Sequence, residues 1–303
     1  MLAIYDLECA AASYAFIEFF QSALNYKNDK KINEMDIAII SGKKNGFKES
    51  QFTREKNFKK DFANLRMSNI VFPLLYGFNN YFSNFIFLKK RNDFYKIKKN
   101  YTNFFPPNYQ LNIKKKNYNS QIVWSNIEKR ESKTQIAKLN ENRYLKTLIK
   151  RKIKKKFITI TLRESNYNKT RNNNLKNWKK LISFIENKKF NIIVLRDMEK
   201  IYADNFFKNY ELFPEATLDL NFRLNLYSLS KVNLFVSNGP QMLSAINNYK
   251  SIAWKHGEDF YPNFNSINGT KIYSTKLSKK VVFLNINDDY FSLKSNLKRY
   301  AKI

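Results

Sequence analysis

Four short apolar runs in the second half of the chain constrain its fold most: KFITITL at 156–162, NIIVL at 191–195, NLFVS at 233–237 and SIAW at 251–254. Each is too short for a helix and is followed by turn-forming residues, the pattern of a strand buried on both faces. Amphipathic stretches of helical length separate them. One runs over 175–187, with Leu175, Trp178, Leu181, Ile182 and Ile185 at helical spacing; others cover 220–230 and 241–248. A strand at 281–286 and a closing helix at 289–300 complete the series. Repeated strand–helix–strand order with short connections implies right-handed crossovers and a parallel sheet covered on both sides.

The first half carries the same pattern less regularly. A strand is expected at 2–5 and a helix at 13–26, with Phe16, Phe19, Phe20, Ala23 and Leu24 on one face. A second strand at 36–41 runs into the turn GKKNG at 42–46, and a third is expected at 70–75. Residues 101–118, with Pro106-Pro107 and repeated Asn, read as a loop, and 126–152 as a long charged helix. At roughly 150 residues per domain, 303 residues make two α/β domains. The boundary is placed to give 1–148 and 149–303.

Lys and Arg number 55 against 25 Asp and Glu, a formal net charge of +30. That excess suits a nucleic acid or an anionic membrane surface. The chain is also rich in Lys, Asn, Ile, Phe and Tyr, the residues of A+T-rich codons, and its Lys runs at 89–99, 114–116 and 146–156 read as solvated faces or linkers. The aromatic residues follow strand and helix periodicity and read as core, not as stacking platforms for bases. Cys9 is the sole cysteine and His256 the sole histidine, so an intramolecular disulfide, a four-Cys zinc site and a His-rich cluster are all excluded. A cytoplasmic home is the simplest. The start MLAIYDLECAAASYAF lacks a basic n-region, and 70–88 is broken by Pro73 and Gly77, so neither a signal peptide nor a spanning helix is expected.

In open parallel sheets ligands bind beyond the carboxyl ends of the strands. Three places answer to that rule. Arg163 directly follows ITITL, where a guanidinium can grip a phosphate, or else pair with Glu164 or Asp197. The turn Ser237, Asn238, Gly239 and Pro240 follows the NLFV strand, where small residues let backbone N–H groups approach a ligand. Asp219 can cap the helix that begins there, with Arg223 one turn on as its surface partner. His256 follows SIAW and is a candidate contact; Cys9 reads as a small buried residue. Neither GxxxxGK[ST] nor GxGxxG occurs.

From ITITLRES through Arg171, the Trp178 helix, IIVLRD and FPEA…DLNFRLNLYS to FVSNGPQMLS, residues 157–254 resemble the donor-binding half of GT-B glycosyltransferases. The likeness is to the fucosyltransferase-like and heptosyltransferase-like families of bacterial surface polysaccharide synthesis. Thr161-Leu162-Arg163 stands in the slot of an HxR motif whose Arg contacts the donor diphosphate, with Thr161 in place of the histidine. Ser237-Asn238-Gly239-Pro240 fits a Gly-Pro loop, with Asn238 where an Asp is frequent.

The resemblance implies two Rossmann-like domains facing a cleft, a nucleotide-diphosphate sugar as donor and a glycan or lipid-linked acceptor. Arg163, Arg171 and the Ser237-to-Pro240 loop would hold the diphosphate. Asp6 and Glu8, at the end of the first strand, are the candidate catalytic bases. With no DxD motif, cations and not a metal would neutralise the leaving group, and no cofactor is implied. Contact with an anionic membrane face fits the Lys runs. The competing readings are a basic nucleic-acid-binding α/β protein and an inactive GT-B-like binding protein.

Overall fold

In the computed structural model the described residues are 1–42, 64–113, 136–165, 169–201, 211–256, 272–273 and 280–303. They form two units, Met1–Asn140 and Glu141–Ile303. The sequence boundary after residue 148 falls inside a helix, Arg143–Lys152, of the second unit.

The first unit is a four-stranded parallel sheet built from β1 (Leu2–Asp6), β2 (Asp36–Ile40), β3 (Phe85–Leu88) and β4 (Phe104–Phe105), in the order β3-β2-β1-β4. All five residues of β1 are buried, the apolar run Leu2–Tyr5 and the charged Asp6 alike. Helix α1 (Ala15–Asp29) buries Phe16, Phe19, Phe20, Ala23 and Leu24 on one stripe. Tyr5 meets Phe16 edge-on with ring centroids 5.0 Å apart.

Two expectations for this unit are corrected. Residues 70–75 are helical, not a strand: a π-helical turn, Met67–Val71, runs into α2 (Phe72–Gly77). The buried positions Met67, Ile70, Val71, Leu74 and Leu75 recur at three and four, the helical period, and Pro73 follows directly on the π-helical turn. The third strand is Phe85–Leu88 instead. The helix expected over 126–152 begins only at Arg143. Of its earlier part, 126–135 lie outside the described residues and 136–142 are not helical. The Ala137 N–H donates to Gln21 Oε1 at 3.0 Å and the Asn140 N–H to the Gly77 carbonyl at 3.2 Å. Those bonds hold the backbone extended over α1 and α2. Within the expected loop at 101–118, β4 and a short turn are described up to residue 113; of the expected turn at 42–46, only Gly42 is described.

The second unit holds β5 (Phe157–Thr161), β6 (Asn191–Leu195), β7 (Glu211–Leu212), β8 (Asn233–Val236), β9 (Ser251–Trp254), β10 (Ile272–Tyr273) and β11 (Val281–Leu284). The sheet order is β10-β11-β9-β8-β5-β6-β7, parallel apart from the β10–β11 pair. Counting only the parallel strands in chain order gives 3-2-1-4-5-6, the doubly wound arrangement, whose strand order reverses between β5 and β8.

Helices of this unit include the one named above, α3 (Arg143–Lys152); α4 (Leu175–Glu186); α5 (Leu220–Leu229); α6 (Gln241–Ile246); and α7 (Tyr290–Asn296). Asparagine or aspartate caps four of them, Asn142, Asn174, Asp219 and Asp289 accepting from backbone N–H groups of the first turn. Asp219 therefore caps as expected, but Arg223 turns inward and donates to the Ala216 carbonyl. The core packs Trp178, Leu181, Ile182 and Ile185 of α4 against Ile158, Ile160, Leu234, Ile252 and Trp254, and the two indoles meet edge-on at 5.6 Å. Among the described residues no helix is long and apolar enough to cross a membrane.

Candidate functional site

The switch point of the second sheet lies between β5 and β8, and the residues that follow these strands meet there. Leu162 ends the core-facing run, and Arg163 follows it, 7% exposed. Its backbone N–H donates to Asn173 Oδ1 at 2.6 Å, and its guanidinium donates to Asn172 Oδ1. Of the two carboxylates expected as its alternative partners, Asp197 feels its charge and Glu164 is taken by another arginine. Glu164 pairs with Arg196, whose Nε donates to Oε2 at 2.8 Å. Asp197 accepts the Glu164 N–H at 2.6 Å, and burial pushes its carboxyl up although that bond and the charges of Arg163 and Arg223 pull it down.

Arg171, in the 3-10 turn Lys169–Arg171, donates from Nη2 to the Ser237 carbonyl at 2.9 Å. It thereby ties the Asn-rich loop after β5 to the end of β8. The structure thus brings Arg163, Arg171 and the Ser237 turn together. Within that turn the side chains organise the loop. Ser237 and Asn238 are buried, and Gly239 and Pro240 are half-buried. Asn238 Oδ1 accepts the Gln241 N–H at 3.2 Å, while Gln241 Oε1 accepts the Asn238 N–H at 3.4 Å.

His256 completes the group after β9. Because Gln241 Oε1 is an acceptor, its Nε2 is the donor, to Ser237 Oγ at 3.2 Å and towards His256 Nδ1 at 3.4 Å. The Ser237 hydroxyl then donates to His256 Nδ1 at 2.8 Å, which leaves the ring proton on Nε2. Burial, aided by the charge of Arg171, pushes the ring down to about 3, so His256 is neutral at pH 7. It stacks on Phe283 at 4.4 Å.

The sequence reading missed a third cation. Lys255 is 6% exposed, has left-handed backbone (φ 55°), and sends Nζ to the Asn172 carbonyl at 2.6 Å and to Asp288 at 2.8 Å. Asp288 in turn accepts from the Asn174 N–H and the Trp178 indole N–H, each at 2.7 Å. Its position at the end of a buried strand was the available signal for Lys255. Thr161, in the slot of the motif histidine, hydrogen-bonds Tyr227 OH at 2.7 Å.

Asp6 and Glu8 belong to the first unit, where Asp6 is fully buried. Arg91 grips it from both terminal nitrogens, at 2.7 and 3.0 Å, and the Tyr109 hydroxyl donates to it at 2.6 Å. Burial works against the charge on Arg91, but Asp6 outweighs it and holds the guanidinium above its ordinary value. Asp6 Oδ1 also accepts the Glu8 N–H at 2.9 Å, which fixes the backbone of a half-buried Glu8. Among the described residues no group of three or more His, Cys, Asp or Glu is placed to hold a metal ion.

No protein-family model matches the chain, and no curated protein matches it in sequence. Solved structures do resemble it. ADP-heptose LPS heptosyltransferase II of E. coli aligns with a TM-score of 0.59 at 9% identity, over 100% of this chain and 99% of that one. A glycosyl transferase of family 9 from Veillonella parvula aligns with a TM-score of 0.50 at 8% identity, over 98% and 89%. With two α/β units and these neighbours, the chain has a GT-B fold of the heptosyltransferase-like kind.

Proposed function

We propose that this protein is a glycosyltransferase that moves a sugar from a nucleotide-diphosphate donor to a glycan or lipid-linked acceptor in surface polysaccharide synthesis. The observation that carries this reading is the gathering of Arg163, Arg171 and Lys255 at the β5/β8 switch point, tied to one another through Asn172 and the Ser237 carbonyl. Fixed cations there would offset the charge that builds on a departing diphosphate without reorganising during the reaction. His256 would add a neutral N–H donor, and the Gly239-Pro240 turn a close approach for the ligand. No metal or cofactor is invoked.

The acceptor-side role falls to the first unit, with Glu8 as the base. Asp6, also a candidate on sequence grounds, would serve by holding the Glu8 backbone, because its own carboxylate is enclosed by Arg91 and Tyr109. Peripheral attachment to an anionic cytoplasmic membrane face belongs to the same proposal. Helix α3 exposes Tyr144 and Leu148 and ends in Lys150, Arg151 and Lys152.

The test is calorimetric titration with a panel of nucleoside diphosphates and their sugars. One should bind, and Arg163→Ala should weaken it about tenfold to a hundredfold, as expected for a hydrogen bond to a charged group. Equal binding by wild type and Arg163→Ala would remove the site assignment, and no binding by any of the panel would remove the reading.

A further inference from the structure

The second sheet has a concavity at the end opposite the Arg163 cluster. The C-terminal ends of β5, β8 and β9 carry Arg163, Ser237 and His256, whereas this cavity is lined by residues that precede the strands: Ser230 before β8, Tyr249 and Lys250 before β9, and Lys280 before β11, with Tyr300 alongside. Lys250 and Lys255 bracket β9, so about 16 Å of extended chain separates the cavity from the donor cluster. Its volume is about 520 Å³, in the range of small-molecule sites.

Among the described residues, Lys250 and Lys280 line the cavity and no carboxylate does. Burial lowers the Lys250 ammonium from its ordinary value, and the nearby charges of Lys231 and Lys302 lower it further. Its Nζ donates to the Ala301 carbonyl at 3.2 Å, and it has no other partner among the described residues. Glu141 lies behind Tyr249, with one oxygen taken by the Tyr249 hydroxyl and the other by Lys146. Like charges gathered around a concavity repel one another, and an anion seated among them relieves that repulsion.

We propose that this cavity binds a phosphate-bearing ligand, with Lys250 and Lys280 as its charge partners. A phosphate monoester carries about two negative charges at pH 7, which two lining ammonium groups match. Its terminal oxygens accept from ammonium and hydroxyl donors alike. The volume leaves room for the organic group that the phosphate esterifies. The proposal is independent of the donor-site reading, since no residue is common to the two.

The experiment titrates inorganic phosphate into wild type, Lys250→Gln/Lys280→Gln and Arg163→Ala, following heat by calorimetry. A phosphate site weakened at least tenfold in the double variant and kept in Arg163→Ala supports the cavity. No phosphate binding at millimolar concentration, or equal binding in the double variant, overturns it. Should the double variant fail to fold, Lys280→Gln at an exposed position carries the same comparison, with protection of Lys250 from amine acylation by phosphate as a second readout. Two further probes name the source. Competition by glycerol 3-phosphate points to a dissolved ester. Sedimentation with phosphatidylglycerol vesicles but not phosphatidylcholine vesicles, lost in the double variant, points to a lipid headgroup.

Discussion

The two units place charge at the same topological position and treat it oppositely. Each sheet contains the order 3-2-1-4, and each puts a charged residue at or just beyond the end of its first strand: Asp6 in the first unit, Arg163 in the second. Asp6 is cancelled, with Arg91 on both oxygens and Tyr109 and the Glu8 N–H filling the remaining acceptor sites. Arg163 and Arg171 donate instead to an amide oxygen and a carbonyl oxygen, which orient the two guanidinium groups. The difference teaches that a switch point is only a place. The same place beyond a first strand encloses a carboxylate with its counterion in one unit and orients guanidinium groups through neutral oxygens in the other.

Substitutions can break this contrast or sharpen it. Asp6→Ala leaves Arg91 buried without its counterion and should cost about 3–5 kcal/mol in chemical denaturation, with donor affinity retained in the folded fraction. A variant that melts like wild type yet loses nucleotide binding would reverse the roles of the two units. Arg163→Ala should do the opposite, losing about 1.5–3 kcal/mol of diphosphate affinity by calorimetry while its melting temperature moves little.

A pH-dependent effect concerns His256. An unfolded histidine titrates near 6.5, whereas the folded ring is pushed down to about 3. The stability linked to its neutral form is complete above about pH 6.5 and is lost as pH falls towards 3, since the unfolded chain then binds the extra proton. His256→Gln should flatten the stability curve in that window by about one proton, measured by denaturation at stepped pH; parallel curves would show that the ring is not held neutral. Tyr101→Phe should be the mildest. It removes a 2.6 Å bond to Asp36 in the first unit and should cost about 1 kcal/mol in stability with donor binding untouched.

Much of the second unit was legible in its sequence because its strands are buried on both faces and its helices carry a single apolar stripe. NIIVL is a strand over the residues read, and the W–L–I–I stripe of α4 packs inward as spaced. The rule that ligands sit beyond strand ends picked out Arg163 and the Ser237 turn, which the structure brings together with the separately noted His256, whereas its third place, Asp219 with Arg223, serves as a helix cap and an inward bond. The segment 70–75 misled because a short apolar run has no period of its own and serves a strand or a helix equally. The neutralisation of Asp6 was invisible for another reason: Arg91 is 85 residues away, and no local pattern records which distant charge a buried carboxylate will find. Lys255 and Asp288 were missed likewise, each being an ordinary surface residue until the other arrives.

That last pairing has a bearing on how the protein is made. Asp288 joins Lys255, the N–H of Asn174 and the indole of Trp178, the last 110 residues earlier in the chain. A nascent chain emerging in order would present β5, Arg163 and the Asn-rich loop long before Asp288 is synthesised. The cluster of Arg163, Arg171 and Lys255 therefore acquires its final geometry late, and a ribosome-bound chain that stops short of residue 288 should hold a sheet without that cluster in order. Ligand affinity would then report completion of synthesis as much as correctness of fold.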